Sequence, residues 1–287
     1  MRSQGMQQLK SDHQQADTTP SRGYTTRAVQ RWSQSASGWS SEDLLDNLAE
    51  EQPVALVYNG ISHAVMMATP DHLDEFALGF SISEGLIHSP SEIYDIDVTR
   101  QCQGWSVNIE ISSQRMMELK QRRRNLAGRT GCGLCGTESL EQAIRPLASV
   151  DAAPLPSPDT IEQALSEMTA HQSLKKMTGA SHAAVWADLT GQPLAIREDV
   201  GRHNALDKLI GYLVTEKTDL KQGFLLISSR ASYEMVQKTA SAGISNLVAI
   251  SAPTALAVEQ AVQSGINLIA FARNQRFILY TQNNTTF

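Results

Sequence analysis

The order of apolar runs between Gly179 and Thr281 constrains this chain more than any other feature. A strand-like run at Gly179–Ala187 turns through Asp188–Pro193 and returns at Leu194–Asp199. Helix-spaced stretches at Asn204–Leu213, Tyr233–Ala242 and Pro253–Gln263 then alternate with short apolar runs at Phe224–Ser229, Leu247–Ser251 and Asn267–Ala272. A last strand, Phe277–Thr281, follows the turn Arg273–Arg276. A hairpin followed by repeated α/β steps predicts a mixed sheet between two helical layers. The helix Asp159–His171 precedes it.

The first half reads differently. Residues 1–26 are polar and aperiodic and predict a disordered tail. Glu42–Glu51 reads as a short helix. Pro53–Tyr58 and Ile61–Ala68 flank Asn59-Gly60, a strong hairpin signal. A helix over Leu73, Phe76, Ala77 and Phe80 opens at Thr69-Pro70-Asp71. A second strand pair, Ile93–Thr99 and Trp105–Ser112, has Cys102 in its turn, and Ser113–Leu126 is helical. Asp151–Pro158 carries three prolines and is the best linker. The expected organisation is a small N-terminal α+β domain over 27–150 and a three-layer α/β/α domain over 158–287. The strand order of the second domain is similar to that of cytidine deaminases.

Deaminase chemistry itself is excluded, because it needs H-x-E and P-C-x-x-C. Here His203 is followed by Asn204-Ala205, and Pro253 by Thr254. The net charge of −6 argues against non-specific nucleic-acid binding. Three cysteines are too few for a disulfide framework and fit a reducing compartment. No apolar run reaches the length of a membrane span, and the first residues lack the apolar core of a signal peptide. A cytoplasmic location is expected.

The stretch Gly131-Cys132-Gly133-Leu134-Cys135-Gly136 carries the most reactive chemistry in the chain. Glycines on both flanks permit a tight loop. Arg122, Arg123, Arg124 and Arg129 lie just upstream, and positive charge over such a loop favours the reactive thiolate. The loop joins the helix ending at Leu126 to one predicted over Thr137–Ile144, which places Cys135 near a positive helix end. A Cys-x-x-Cys pair serves three purposes: metal binding, dithiol redox exchange, or sulfur relay through a persulfide. Structural zinc wants four ligands. Cys102, His182 and His203 are the residues available to complete a metal-stabilised, non-catalytic scaffold. A thioredoxin-type pair would follow a strand, not a helix.

The second domain has its own polar cluster. Arg197–Asn204 lies where a predicted strand meets a helix, and Ser228–Ser232, Ser251–Thr254 and Arg273–Arg276 lie at the ends of three more. Ligands of open α/β sheets bind outside the carboxyl ends of strands. Serines, arginines and helix N-termini at that edge suit phosphate. An anionic cofactor or nucleotide is expected near Ser228, Arg230, Ser251 and Phe271–Arg276.

Taken together, the Cys132–Cys135 loop, the run Glu198–Lys208 and Ser228-Ser229-Arg230 resemble the formate dehydrogenase accessory sulfurtransferase family. The resemblance spans about Val54 to Tyr280. It implies a cytosolic, homodimeric sulfur carrier. Such a protein accepts sulfur from an L-cysteine desulfurase and passes it to the molybdenum cofactor, in its bis-molybdopterin guanine dinucleotide form, for formate dehydrogenase. By that resemblance Cys132 bears the persulfide, Cys135 assists, and Phe271, Ala272, Arg273, Asn274, Gln275 and Arg276 meet the cofactor, with His203 nearby. No metal ligand of the protein's own, no nucleic acid and no membrane enters this scheme.

Overall fold

The computed structural model describes residues 23–127, 147, 149–282 and 285–286. Residues 1–22, the loop with Cys132 and Cys135, and the helix expected over Thr137–Ile144 lie outside the described residues, as do the side chains of Arg122, Arg123 and Arg124.

The fold is mixed α/β, and the described residues form three sheets. A four-stranded sheet has the order β4-β3-β6-β5, from β3 (Gln52–Tyr58), β4 (Ile61–Ala68), β5 (Ile93–Gln101) and β6 (Gly104–Ile111). Asn59 and Gly60 both take positive φ, as the sequence requires of that hairpin. Helix α1 (Leu73–Ser83) buries Phe76, Ala77 and Phe80 against Val54, Leu56, Val107 and Ile109. Helix α2 (Ser113–Ala127) adds Met116 and Leu119 to that core. His63 lies edge-on to Tyr58 and Phe80 and has a packing role.

The second sheet has seven strands in the order β13-β12-β11-β10-β9-β7-β8. Its members are β7 (His182–Asp188), β8 (Pro193–Asp199), β9 (Gly223–Ile227), β10 (Asn246–Ala249), β11 (Asn267–Arg273), β12 (Arg276–Gln282) and β13 (Thr285–Thr286). Successive strand residues face opposite layers. Ala184, Trp186, Leu225, Ile227, Leu247 and Leu268 meet one helical layer. That layer holds α5 (Arg202–Thr215), α6 (Tyr233–Ser241) and α7 (Ala255–Ser264). Ala183, Val185, Phe224, Leu226, Val248 and Ile269 meet α3 (Pro158–His171) on the other face. The expected three layers are present. The short helix α4 (Ser173–Thr178) was not foreseen; it ends at Gly179 in the left-handed region.

One expectation fails outright. The predicted helix Glu42–Glu51 is strand β2 (Gly38–Ala49), paired along its whole length with β1 (Tyr24–Ser35). The tail therefore gives way to a strand at Tyr24, within the stretch read as disordered. Leu44, Leu45 and Leu48 mimic helical spacing, but Val29 pairs with Leu44 across the ribbon and the β geometry wins.

The two large sheets are joined through α1 and α5, which cross at glycines. A Cβ on Gly79 would run into the Asp207 carbonyl, and one on Gly211 into the Glu75 carbonyl. Two buried lysines lie at this joint. Lys208, fully buried, donates to the Thr69 carbonyl (2.9 Å), pairs with Asp199 Oδ2 (2.8 Å) and reaches Asp71. Lys238 donates to Ser83 Oγ (2.9 Å), Glu84 Oε1 (2.8 Å) and Asp207 Oδ2 (3.0 Å). Among the described residues, no helix is long and apolar enough to cross a membrane.

Candidate functional site

Strand direction builds the candidate site. β9, β10 and β11 run parallel, and β8 shares their direction because both β8 and β9 are antiparallel to β7. The carboxyl ends at Asp199, Ile227, Ala249 and Arg273 therefore lie along one sheet edge, with His182, the first residue of β7, opposite Asp199. This is the edge at which open α/β sheets hold ligands.

Hydrogen bonds tie the loops after β9 and β10 to each other, to β7 and to β11. Ser228 N–H donates to the Ala183 carbonyl (3.0 Å), and Ala183 N–H donates back to Ser228 Oγ (2.9 Å). Ala231 N–H donates to the Ala252 carbonyl (3.2 Å), and Thr254 N–H to the Ala231 carbonyl (3.0 Å). Phe271 N–H donates to the Ser251 carbonyl (3.2 Å). Ser228, Ser251 and Phe271 thus belong to one continuous edge, as expected from sequence. Arg230 is exposed on it. Asn274 and Gln275 both have positive φ, the signature of a tight primed hairpin turn that carries Arg273 and Arg276 outward. Phe271 also has φ of 53°, a costly conformation for an aromatic residue. The Arg273 guanidinium lies 5.9 Å from its ring centroid. The side chain of Ala272 packs into the core with α3, so its neighbours alone present side chains at the edge.

Three helices begin here, and two lack a side-chain cap. α5 starts at Gly201 and α6 at Ser232, neither with a capping side-chain hydrogen bond, whereas Thr254 caps α7 through Ala257 N–H (3.2 Å). Ser232 Oγ is buried without a partner among the described residues. A helix N-terminus presents the positive end of the dipole, which favours an anion.

Two histidines flank these helix starts. His182 Nδ1 is 3.5 Å from Ser228 Oγ, and burial, with Arg202 and Lys175 nearby, pushes its pKa down. His203 Nε2 is 2.6 Å from Glu234 Oε2 at the start of α6. Burial lowers the His203 pKa despite that carboxylate. Burial biases both imidazoles towards the neutral form, and the positive charge of Arg202 adds to that bias in each.

The run Glu198–Lys208 divides between two tasks. Arg202 and His203 face the edge. Glu198 instead accepts N–H bonds from Leu174 (2.7 Å) and Lys175 (2.9 Å) at the start of α4. Asp199 accepts from Thr69 N–H (3.0 Å) and Asn204 Nδ2 (3.0 Å), and Asn204 also donates to the Met67 carbonyl (2.8 Å). Arg197 makes a two-pronged pair with Glu75 and stacks 4.5 Å from the Tyr212 ring centroid. Arg197, Asp199, Asn204, Asp207 and Lys208 therefore bind the two sheets together and do not line the edge. Sequence reasoning missed Glu234 as an edge residue; its position in the first turn of a helix was the available signal.

Among the described residues, no group of three His, Cys, Asp or Glu side chains is placed to hold a metal ion. Cys102 is exposed in the β5–β6 turn.

Comparison with known proteins agrees with this architecture. The model of the FdhD/NarQ family matches residues 49–286, beginning where the β1–β2 ribbon ends. A protein of Cupriavidus necator named sulfur carrier protein FdhD is 51% identical over 257 residues, covering 90% of this chain and 88% of that one. Its namesake in Bordetella petrii is 50% identical over 237 residues, covering 82% and 85%. A crystal structure described as a formate dehydrogenase accessory protein, from Desulfotalea psychrophila, superposes with a TM-score of 0.70 at 22% identity and covers 91% of this chain and 99% of that one. It shares the fold. The match of the family model over most of the chain, with two relatives near 50% identity, establishes that this protein belongs to the FdhD/NarQ family.

Proposed function

We propose that this protein is a sulfur carrier acting for formate dehydrogenase. The names of its half-identical relatives support the general role. The observation that carries the detail is the sheet edge at which four strand ends and two uncapped helix starts meet.

In this reading the Cys132 thiolate attacks the outer sulfur of a persulfide on an L-cysteine desulfurase. The donor S–S bond breaks, the donor cysteine leaves as thiolate, and Cys132 holds the sulfur as a persulfide. Cys135 is auxiliary. The acceptor is the molybdenum cofactor, bound as substrate through its guanine dinucleotide arms. The positive N-terminal ends of α5 and α6 receive phosphate oxygens, and Arg230, Arg202 and Arg273 neutralise their charge. Ser228, Ser232 and Ser251 supply further hydroxyls. His182 and His203 stand beside these helix starts as further polar groups. Phe271, beside Ser251, offers a flat apolar face for a base.

Mass spectrometry after incubation with a desulfurase and L-cysteine tests the first half. A sulfur adduct is expected on Cys132 and lost in Cys132→Ala. An equal adduct in that variant sinks the assignment.

A further inference from the structure

Glu234 runs against the character of the sheet edge. The loops there bring arginines, serines and helix starts, all suited to negative charge. Glu234 stands in the first turn of α6 and adds a carboxylate. It is held in place: His203 Nε2 lies 2.6 Å from its Oε2, and Arg202 Nη2 lies 3.9 Å from the same oxygen. Its side chain is 55% exposed, so the carboxylate stays open to a ligand. The acids that end β8 are committed elsewhere, Glu198 to the start of α4 and Asp199 to Thr69 and Asn204.

Donors stand open beside this acceptor. Ser232 Oγ and Arg202 Nε are buried atoms with no hydrogen-bond partner among the described residues. Buried polar atoms are nearly always paired, and each exception needs a reason, of which a bound ligand is one. Ser232 precedes Glu234 by two positions at the same helix start, and Arg202 opens the neighbouring helix. An acid in a first turn also complements the helix dipole, but that role asks for no open donors around it.

We infer that Glu234 is the residue that selects guanine at this edge. The inference rests on the reading of the edge as the nucleotide site of the cofactor. An ionised carboxylate only accepts hydrogen bonds, and it repels a phosphate. The base is the part of a guanine nucleotide that suits it. Guanine N1–H and the N2 amino group are adjacent donors, spaced to meet the oxygens of one carboxylate. Each such oxygen has more than one lone pair, so Oε2 keeps His203 as well. The next atom along the base, O6, is an acceptor, and the open Ser232 hydroxyl is the donor it needs. Adenine reverses the pattern: its N1 is an acceptor and its N6 a donor, so both meet the wrong partner. The loop before α6 is also tied to Phe271. Ala231 N–H donates to the Ala252 carbonyl, and Phe271 N–H to the Ser251 carbonyl, so the edge and the flat face of a base are served from one surface.

Calorimetry of the full chain with GDP, ADP and inosine diphosphate tests the assignment. Inosine diphosphate keeps N1–H and O6 and lacks only the N2 amino group. The parent is expected to bind GDP about tenfold tighter than inosine diphosphate, and ADP more weakly than either. This comparison needs no variant to fold. In Glu234→Ala, GDP is expected to weaken about tenfold or more and to come within about twofold of inosine diphosphate, with ADP unchanged. An acid that served only the dipole of α6 would lower the melting temperature on removal and leave the ratio of GDP to inosine diphosphate alone. A parent that binds the two equally, or a Glu234→Ala variant that keeps the parent's ratio, overturns the role of Glu234 and leaves the sheet edge standing. A parent that binds none of the three nucleotides overturns the nucleotide reading of the edge and this inference with it.

Discussion

Lys238 Nζ, on α6 beside the second sheet, lies 2.8 Å from Glu84 Oε1, at the end of α1 beside the first. It also holds Asp207 on α5, so one ammonium fastens three helices. Burial works against its charge, but Asp207 and Glu84 outweigh burial and raise its pKa. Removing one member of a buried pair leaves the other uncompensated and costs about 3–5 kcal/mol. Lys238→Met is expected to lose that much in urea unfolding. Lys238→Met with Asp207→Asn is expected to recover part of it, because no bare carboxylate then remains at the joint. A single variant as stable as the parent removes the clasp from the account.

The crossing of α1 and α5 gives a second expectation. Gly79 and Gly211 face carbonyls of the opposite helix with no room for a methyl group. Gly79→Ala or Gly211→Ala must push the helices apart. Overpacking of this kind costs about 1–3 kcal/mol, and backbone, unlike a side-chain tip, has little freedom to yield. A fall in melting temperature in both variants is the expected result. The same change at Gly60, whose surroundings are open, tests only the left-handed backbone and is expected to cost less.

How much of this was legible in the sequence depends on how far apart the partners are. The strands of the second sheet were readable because Phe224–Ile227 and Asn267–Ala270 are short apolar runs whose burial is a local property. The convergence of their loops followed from alternation alone. The joint was not readable. Asp199 and Thr69 meet across 130 positions, and a lysine at 208 or 238 looks from sequence like any solvated helix residue. The run Glu198–Lys208 looked like one ligand-facing motif because adjacency hides that α5 turns Asn204, Asp207 and Lys208 away from Arg202 and His203. The ribbon misled for a third reason. Among the described residues its strands pair only with each other, so no buried face imposed the alternation that marks a strand.

The acid limb of stability has a local source at Glu92. Its carboxylate accepts from His88 N–H (2.7 Å), from Arg115 Nε (2.7 Å) and from Ser89 N–H (3.2 Å). These bonds, the His88 N–H foremost, hold its pKa near 2, below the ordinary 4.5. A carboxyl depressed on folding stabilises the native state above its unfolded pKa, and that stability is lost as pH falls through the folded value. The gap in melting temperature between the parent and Glu92→Gln is therefore expected to be constant above about pH 4.5 and to narrow below it. A gap that stays constant from pH 7 to pH 3 contradicts the assignment.

The sheet edge yields the sharpest separation of steps. Arg230 is exposed beside Ser228 and two uncapped helix starts, and it is no part of the joint. If the edge holds the guanine dinucleotide arms of the cofactor, GDP binds there as half of one arm. A charge-assisted hydrogen bond from arginine to phosphate is worth about 1.5–3 kcal/mol. Arg230→Ala is then expected to weaken GDP roughly tenfold to a hundredfold in calorimetry. The loss should shrink with added salt, because the site is open to solvent. Ser232→Ala removes a buried hydroxyl that lacks a protein partner and is expected to weaken GDP without lowering the melting temperature, whereas a purely structural serine would show the reverse. Persulfide formation on Cys132 is expected to be unchanged in both variants, since loading precedes cofactor binding in this scheme. Equal GDP affinity in parent and Arg230→Ala, or no binding to the parent, removes the nucleotide from this edge and leaves the sulfur adduct on Cys132 to be judged by itself.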